Sequence, residues 1–124
     1  MCFVVVCLAA VAAMASEVPP LEFPVGQMVE GVACAADPSQ TYTLYLPSTY
    51  TNDRLWPVML VFDARGRSRY GAELFRKAAE TYGWIIVSSD NTRSDGPWEP
   101  NVAAIQALWP EVHYRLAADF DRIY

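Results

Sequence analysis

The residues best suited to chemistry lie in the stretch Asp63-Ala64-Arg65-Gly66-Arg67-Ser68-Arg69. A small residue, Ala64, and then Gly66 let backbone N–H groups turn outward, and such groups can hold a developing oxyanion. Arg65, Arg67 and Arg69 alternate along the stretch and can attract an anionic group. The plainer alternative is a solvated connection between a strand and a helix. A second polar stretch, SSDNTRSDGPW over 88–98, carries Asn91 and Trp98. Both loops would line one crevice if they rise at the carboxyl end of the same parallel sheet. Otherwise the Asn, Asp and Gly residues only set turns, and Trp98 covers a core.

Other chemistries find no footing. There is no G-x-x-x-x-G-K-[ST] and no G-x-G-x-x-G, so neither phosphate-cradling loop is present. His113 is the one histidine, and no acids stand around it at ligand spacing, so no metal and no cofactor is expected. It reads as a solvated or packing side chain beside Tyr114. Ser88 and Ser89 end an apolar run without the flanking glycines of a strained nucleophile turn. The formal charge is −5 and the nine Lys and Arg residues form no run, so a nucleic-acid partner is not expected.

These loops need a scaffold, and the apolar pattern supplies one. Alternation of Tyr42, Leu44 and Leu46 with Thr41, Thr43 and Tyr45 predicts a half-buried strand. It is preceded by a strand within GQMVEGVAC, and the short polar connection favours an antiparallel hairpin. PVMLVFD (57–63) and WIIVSSD (84–90) read as strands buried on both faces. Between them Leu74, Phe75, Ala78, Ala79 and Tyr82 form one apolar helical face, stopped by Gly83. Asn101 is expected to cap a helix over VAAIQALW, and Pro110 to kink it or open a new turn. ADFD reads as a turn, and RIY (122–124) as the start of another strand. Hairpin, β, α, β, α, β predicts an α/β fold with parallel strands and helices on the sheet faces.

At the other end, residues 1–15 read as a signal peptide: an apolar run, then Ala13 and Ala15 in an A-x-A cleavage pattern. No Lys or Arg precedes the run, and an uncleaved membrane anchor is the alternative. Residues 16–25 are Pro-rich and expected to be extended and loosely held. Cys2 and Cys7 would leave with the signal. Cys34 would then be a buried free thiol or the partner of a cysteine elsewhere.

Three stretches together resemble a known family. YTLYLPSTYTNDRLWPVMLVFD (42–63), YGWIIVSSDNTRSDGPWEPN (82–101) and LAADFDRIY (116–124) are similar, in order and spacing, to the N-terminal half of secreted α/β-hydrolases of the esterase, polyhydroxybutyrate-depolymerase-like type. These are relatives of the prolyl-oligopeptidase-like serine hydrolases. The resemblance implies a partial α/β-hydrolase sheet over 26–124 and export to the periplasm or the extracellular space. It implies a parent enzyme acting on small carboxylic esters or peptides, without cofactor or metal. D-x-x-R-[IV]-Y leads, in that family, into a strand and then G-x-S-x-G, so the nucleophile and its Asp and His partners would lie beyond Tyr124 and the chain alone would be inactive. Where many relatives have His-Gly, this sequence has Asp63-Ala64; by position, the backbone N–H of Arg65 becomes the oxyanion donor. Ala64, Gly66, Asn91 and Trp98 become the pocket candidates.

The resemblance also implies pairings. The strand begun at Arg122 would lie beside the strand 57–63, whose other neighbour would be 84–88. With no further strand, the edge between Pro57 and Asp63 would stand nearly bare and invite self-association. The competing readings are a non-catalytic binding or interaction module, or a gene fragment without function.

Overall fold

The strand-like runs read within the described residues become strands of one mixed sheet. The structure, a computed structural model, describes residues 21–124; the signal-peptide reading and Cys2 and Cys7 fall outside them. The elements are β1 (Met28–Ala33), β2 (Thr41–Tyr45), β3 (Trp56–Val61), α1 (Ser68–Tyr82), β4 (Ile85–Ser89), α2 (Glu99–Arg115) and β5 (Ala118–Ile123). The sheet order is β1-β2-β4-β3-β5. β2 runs antiparallel to both β1 and β4. β3 is parallel to β4 on one side and to β5 on the other, with Val58 opposite Ile85 and Trp56 opposite Ala118. The hairpin and both pairings of the 57–63 strand are those expected. No described helix is long and apolar enough to cross a membrane.

Burial departs from expectation strand by strand. β2 is buried on both faces rather than half-buried. Its alternation separates two cores: Tyr42 and Leu44 pack with the α2 side, Tyr45 with the α1 side. The polar Thr43 between them is satisfied by the Ser68 hydroxyl at 2.7 Å. β4 is wholly buried. β3 is not, because Met59, Leu60 and Val61 are only partly covered and Phe62 is 47% exposed.

The two helices cover opposite faces unequally. α2 lays Ala104, Ala107, Leu108 and Val112 on one face, over Val58, Leu44, Tyr42 and Val87. It is a single helix from Glu99, with Pro100 in its first turn and Pro110 inside it. Pro110 removes the donor to the carbonyl of Gln106, but Gln106 is exposed, where water can replace that donor. α1 corrects the expected apolar face. Of its residues only Ser68, Gly71, Ala72 and Ala79 are buried, while Leu74, Phe75, Ala78 and Tyr82 are exposed. Small residues bring the helix close to the sheet: a Cβ on Gly71 would stand 2.8 Å from Val61 Cγ1. The larger side chains, which point elsewhere, find no neighbour to cover them. Gly83 stops α1 as expected, at φ 71°, its N–H donating to the Ala79 carbonyl at 2.9 Å.

Two segments are better fixed than the sequence suggested. Phe23 and Val25 of the Pro-rich lead-in pack against the α2-side core, and Gly26 N–H donates to the Leu46 carbonyl at 2.8 Å. ADFD is both turn and strand. The Asp121 N–H donates to Asp119 Oδ1 at 3.0 Å, and this local turn is an irregularity inside β5, which already pairs at Ala118. β5 therefore covers the β3 edge further than RIY alone would. Trp56 N–H donates to Ala117 O at 2.8 Å, Tyr124 N–H to Val58 O at 3.0 Å, and Leu60 N–H to Tyr124 O at 2.7 Å. The bare edge expected over 58–62 is thus paired as far as Leu60.

Candidate functional site

β3 and β4 are adjacent and parallel, so the loops that follow them leave the sheet at the same end. The first loop is shaped by Asp63. Its carboxylate accepts the backbone N–H of Arg65 at 2.9 Å and of Arg67 at 3.1 Å. It also takes a two-pronged contact from the Arg67 guanidinium, Nε at 3.0 Å and Nη2 at 2.9 Å. The Arg67 side chain, followed by the two backbone donors, holds the Asp63 carboxyl well below the usual carboxylate range. The chain turns over this carboxylate, and Gly66 N–H closes onto Asp63 O at 3.1 Å.

The second loop is stitched to the first. Thr92 Oγ1 donates to Asp63 O and Ser94 N–H to Ala64 O, both at 2.9 Å. Gly66 sits at φ 64°, and a Cβ on it would overlap the backbone carbonyl of Asp90. Glycine is required there because two backbones touch. Asn101, in the first turn of α2, accepts from Arg93 N–H and donates to Arg93 O, each at 2.8 Å. It pins this loop instead of capping the helix.

Between the loops and the start of α2 lies an open cleft of about 520 Å³, within the range of small-molecule sites. Phe62, Asp63, Ala64, Thr92, Arg93, Ser94, Asn101, Val102 and Ile105 line it.

The sequence candidates separate at this point. Ala64 is on the wall. Its N–H makes no hydrogen bond among the described residues. The Arg65 N–H, the expected oxyanion donor, is bound to Asp63. Gly66 supports the loop contact behind the wall. Asn91 faces away, accepting from Thr41 N–H at 2.9 Å and so tying β4 to the hairpin. Trp98 is 71% exposed and does not line the cleft. Sequence reasoning missed Thr92, Arg93, Asn101, Val102 and Ile105. The rule that ligands sit at strand carboxyl ends pointed to both loops, but nothing local said that α2 would form the third wall.

The remaining polar residues serve structure. Ser88 Oγ is buried without a hydrogen-bond partner among the described residues, close under Gly71 of α1. His113 is exposed and packs its ring against Tyr114 and Phe120, at 4.5 and 4.6 Å between centroids. Asp90 accepts from Thr41 Oγ1 at 2.6 Å and from the Ser68 hydroxyl. Among the described residues no group of three or more His, Cys, Asp or Glu could hold a metal ion.

A second polar cluster, unforeseen from the sequence, is buried between α2 and the hairpin. Glu111, 1% exposed, accepts from Ala35 N–H at 2.6 Å, from Tyr42 OH at 2.9 Å and from Arg115. Burial, then the Glu111 charge, pushes the Tyr42 phenol far above its ordinary value. Cys34 is buried and has no disulfide partner among the described residues. Burial, with Glu111 and Asp37 adding, pushes it up to about 12, so it is kept from the reactive thiolate form. A scan against models of protein families finds no match to this chain, and a search of curated proteins finds no significant relative.

Proposed function

We propose that this chain is the N-terminal part of an exported serine hydrolase that acts on carboxylic esters. The observation that carries this reading is the pair of loops after β3 and β4, which meet over a cleft whose wall includes Ala64, a residue whose N–H makes no hydrogen bond among the described residues. A backbone donor fixed by a rigid turn is the type of group that holds a developing oxyanion. The sheet order and the polar turn after β3 are compatible with the same reading. A serine from outside these residues would attack the ester carbonyl, and a histidine would act as its general base. This chain would supply the oxyanion loop and one wall of the pocket. In this reading Asp63 stands where the family has His-Gly, and its carboxylate fixes the turn. The Arg65 N–H becomes a second donor only if Asp63 releases it.

The test is the coding sequence that follows Tyr124, with the hydrolase activity of its product. A G-x-S-x-G within a few residues, and p-nitrophenyl butyrate hydrolysis blocked by a fluorophosphonate, are expected. The 124-residue chain alone should not turn over the ester. Turnover by that chain, or a downstream sequence without the motif, would overturn the reading.

A second reading, a non-catalytic interaction module, is favoured by one feature. Phe75 and Tyr82 flank an apolar groove of about 390 Å³ over Met59, Trp84 and Ile86. Exposed apolar surface of this kind marks a contact with further protein. In the hydrolase reading that protein is the rest of the same domain.

A further inference from the structure

The nine Lys and Arg side chains sort by what they touch. Arg67, Arg69, Arg76, Arg115 and Arg122 form ion pairs, and Arg54 lies 3.5 Å over the Trp56 ring. Arg65, Lys77 and Arg93 remain without an ion pair among the described residues. Lys77 is on the exposed side of α1. The other two stand on the two loops that meet over the cleft, and Arg93 belongs to its wall.

Most other polar groups of that wall are committed. Asp63 is bound by Arg67 and two backbone N–H groups. Thr92 Oγ1 is used on Asp63 O. Both ends of the Asn101 amide are used on Arg93 backbone. Ser94 Oγ donates to Asp95 at 3.3 Å. The acids nearest in sequence, Asp95, Asp90 and Glu99, form no ion pair with Arg93 among the described residues. The cleft is therefore lined by apolar Phe62, Val102 and Ile105 and by two residues with groups left uncommitted among the described residues, the backbone N–H of Ala64 and the guanidinium of Arg93.

We propose that the cleft selects an acyl ligand bearing a free carboxylate, with Arg93 holding the carboxylate and the apolar residues holding the chain between. The inference rests on the hydrolase reading in taking the ligand to be the acyl part of an ester. A planar guanidinium suits a carboxylate through two parallel hydrogen bonds. It thus gives specificity to a pocket that is otherwise only apolar.

The test is binding to the whole 124-residue chain, followed by NMR shifts of the Ala64 amide and the Val102 and Ile105 methyls. The probes are monomethyl adipate and its neutral counterpart dimethyl adipate. The monoanion should bind at least about fivefold tighter, a preference that salt reduces because it is electrostatic. Arg93→Gln should abolish the preference, and its folding is little at risk because the exposed side chain makes no hydrogen bond or ion pair among the described residues. Arg93→Lys should keep part of it, and Lys77→Gln, which removes the same charge elsewhere, should leave it intact. Equal affinity for the two probes would overturn the proposal, as would a preference that survives Arg93→Gln or shifts confined to Met59 and Tyr82. No turnover is involved, so equal binding would refute this inference and leave the hydrolase reading standing. A downstream sequence without G-x-S-x-G would refute the hydrolase reading and leave a measured carboxylate preference in place.

Discussion

The two faces of the sheet differ in how they are closed. On the α2 side, Trp56, Tyr42, Leu44, Val58, Leu108 and Val112 are almost fully buried in one continuous core. On the α1 side the buried apolar cluster among the described residues is the smaller set Tyr45, Ala72, Ala79 and Ile86, while Leu74, at 62% exposure, and Tyr82, at 75%, face solvent. Hydrophobic stabilisation scales with area removed from water, so the first face carries most of the stability. The second face is held close by small residues and left open beside them. A helix can be docked on a sheet without its largest apolar side chains being used, and this separates what holds this chain together from what remains free to bind.

The sharpest test sets one truncation on each face. Trp56 stacks near Tyr50, with 5.5 Å between ring centroids, and donates through Nε1 to Thr51 O at 2.9 Å. Trp56→Ala should cost about 3–5 kcal/mol through the cavity it leaves. Leu74→Ala should change stability by no more than about 0.5 kcal/mol. Urea unfolding measures both; equal costs on the two faces would erase the asymmetry.

Glu111→Ala comes next. It would leave Tyr42 OH and Ala35 N–H without their acceptor and strip Arg115 of its buried partner. Removing one side of a buried ion pair costs about 3 kcal/mol or more, so unfolding should fall to distinctly lower urea. Cys34 should also become readily alkylated in the native protein, since the β1–β2 loop loses its anchor on α2. A Glu111→Ala protein with wild-type stability and a protected thiol would show the cluster to be incidental.

Gly66→Ala probes the cleft end. The positive φ costs a side chain about 1–3 kcal/mol, and the new Cβ would also overlap the Asp90 carbonyl. The expected result is a moderate loss of stability together with faster hydrogen exchange at Ser94 N–H. Unchanged exchange there would mean that the two loops are not held by this contact.

The smallest effect is one of pH. The folded pKa of Asp63 lies below its unfolded value, so its contribution is present above the unfolded carboxylate pKa of about 4. It is lost as pH falls below that, towards the lower folded value. Amide exchange at Arg65 and Arg67, corrected for intrinsic rate, should therefore quicken on acidification below about pH 4. Asp63→Asn should show little of this dependence. The rest of the sheet should respond far less, since the carboxylate contacts only its own loop.

The sequence alone determined the kinds of element and their order. Period-two alternation at Tyr42, Leu44 and Leu46, continuous apolar runs before Asp63 and Asp90, and Gly83 after a helical pattern are local signals, set by backbone geometry within a few residues. They sufficed for the hairpin, the α/β order and the region of the cleft. Tertiary structure decided what a local pattern cannot carry. Periodicity shows that Leu74, Phe75 and Tyr82 share a helix side, but the sheet took the side of Gly71 and Ala72, because close approach favours small residues. Asn101 has the chemistry of a cap, yet it bonds the Arg93 backbone, which only the folded loop brings within reach. Glu111 reads as a surface acid until the hairpin closes over α2. Arg65, Arg67, Arg69 and Arg93 look alike as residues; only the positions of Asp63 and Glu30 in space determine which are paired and which remain free beside the cleft.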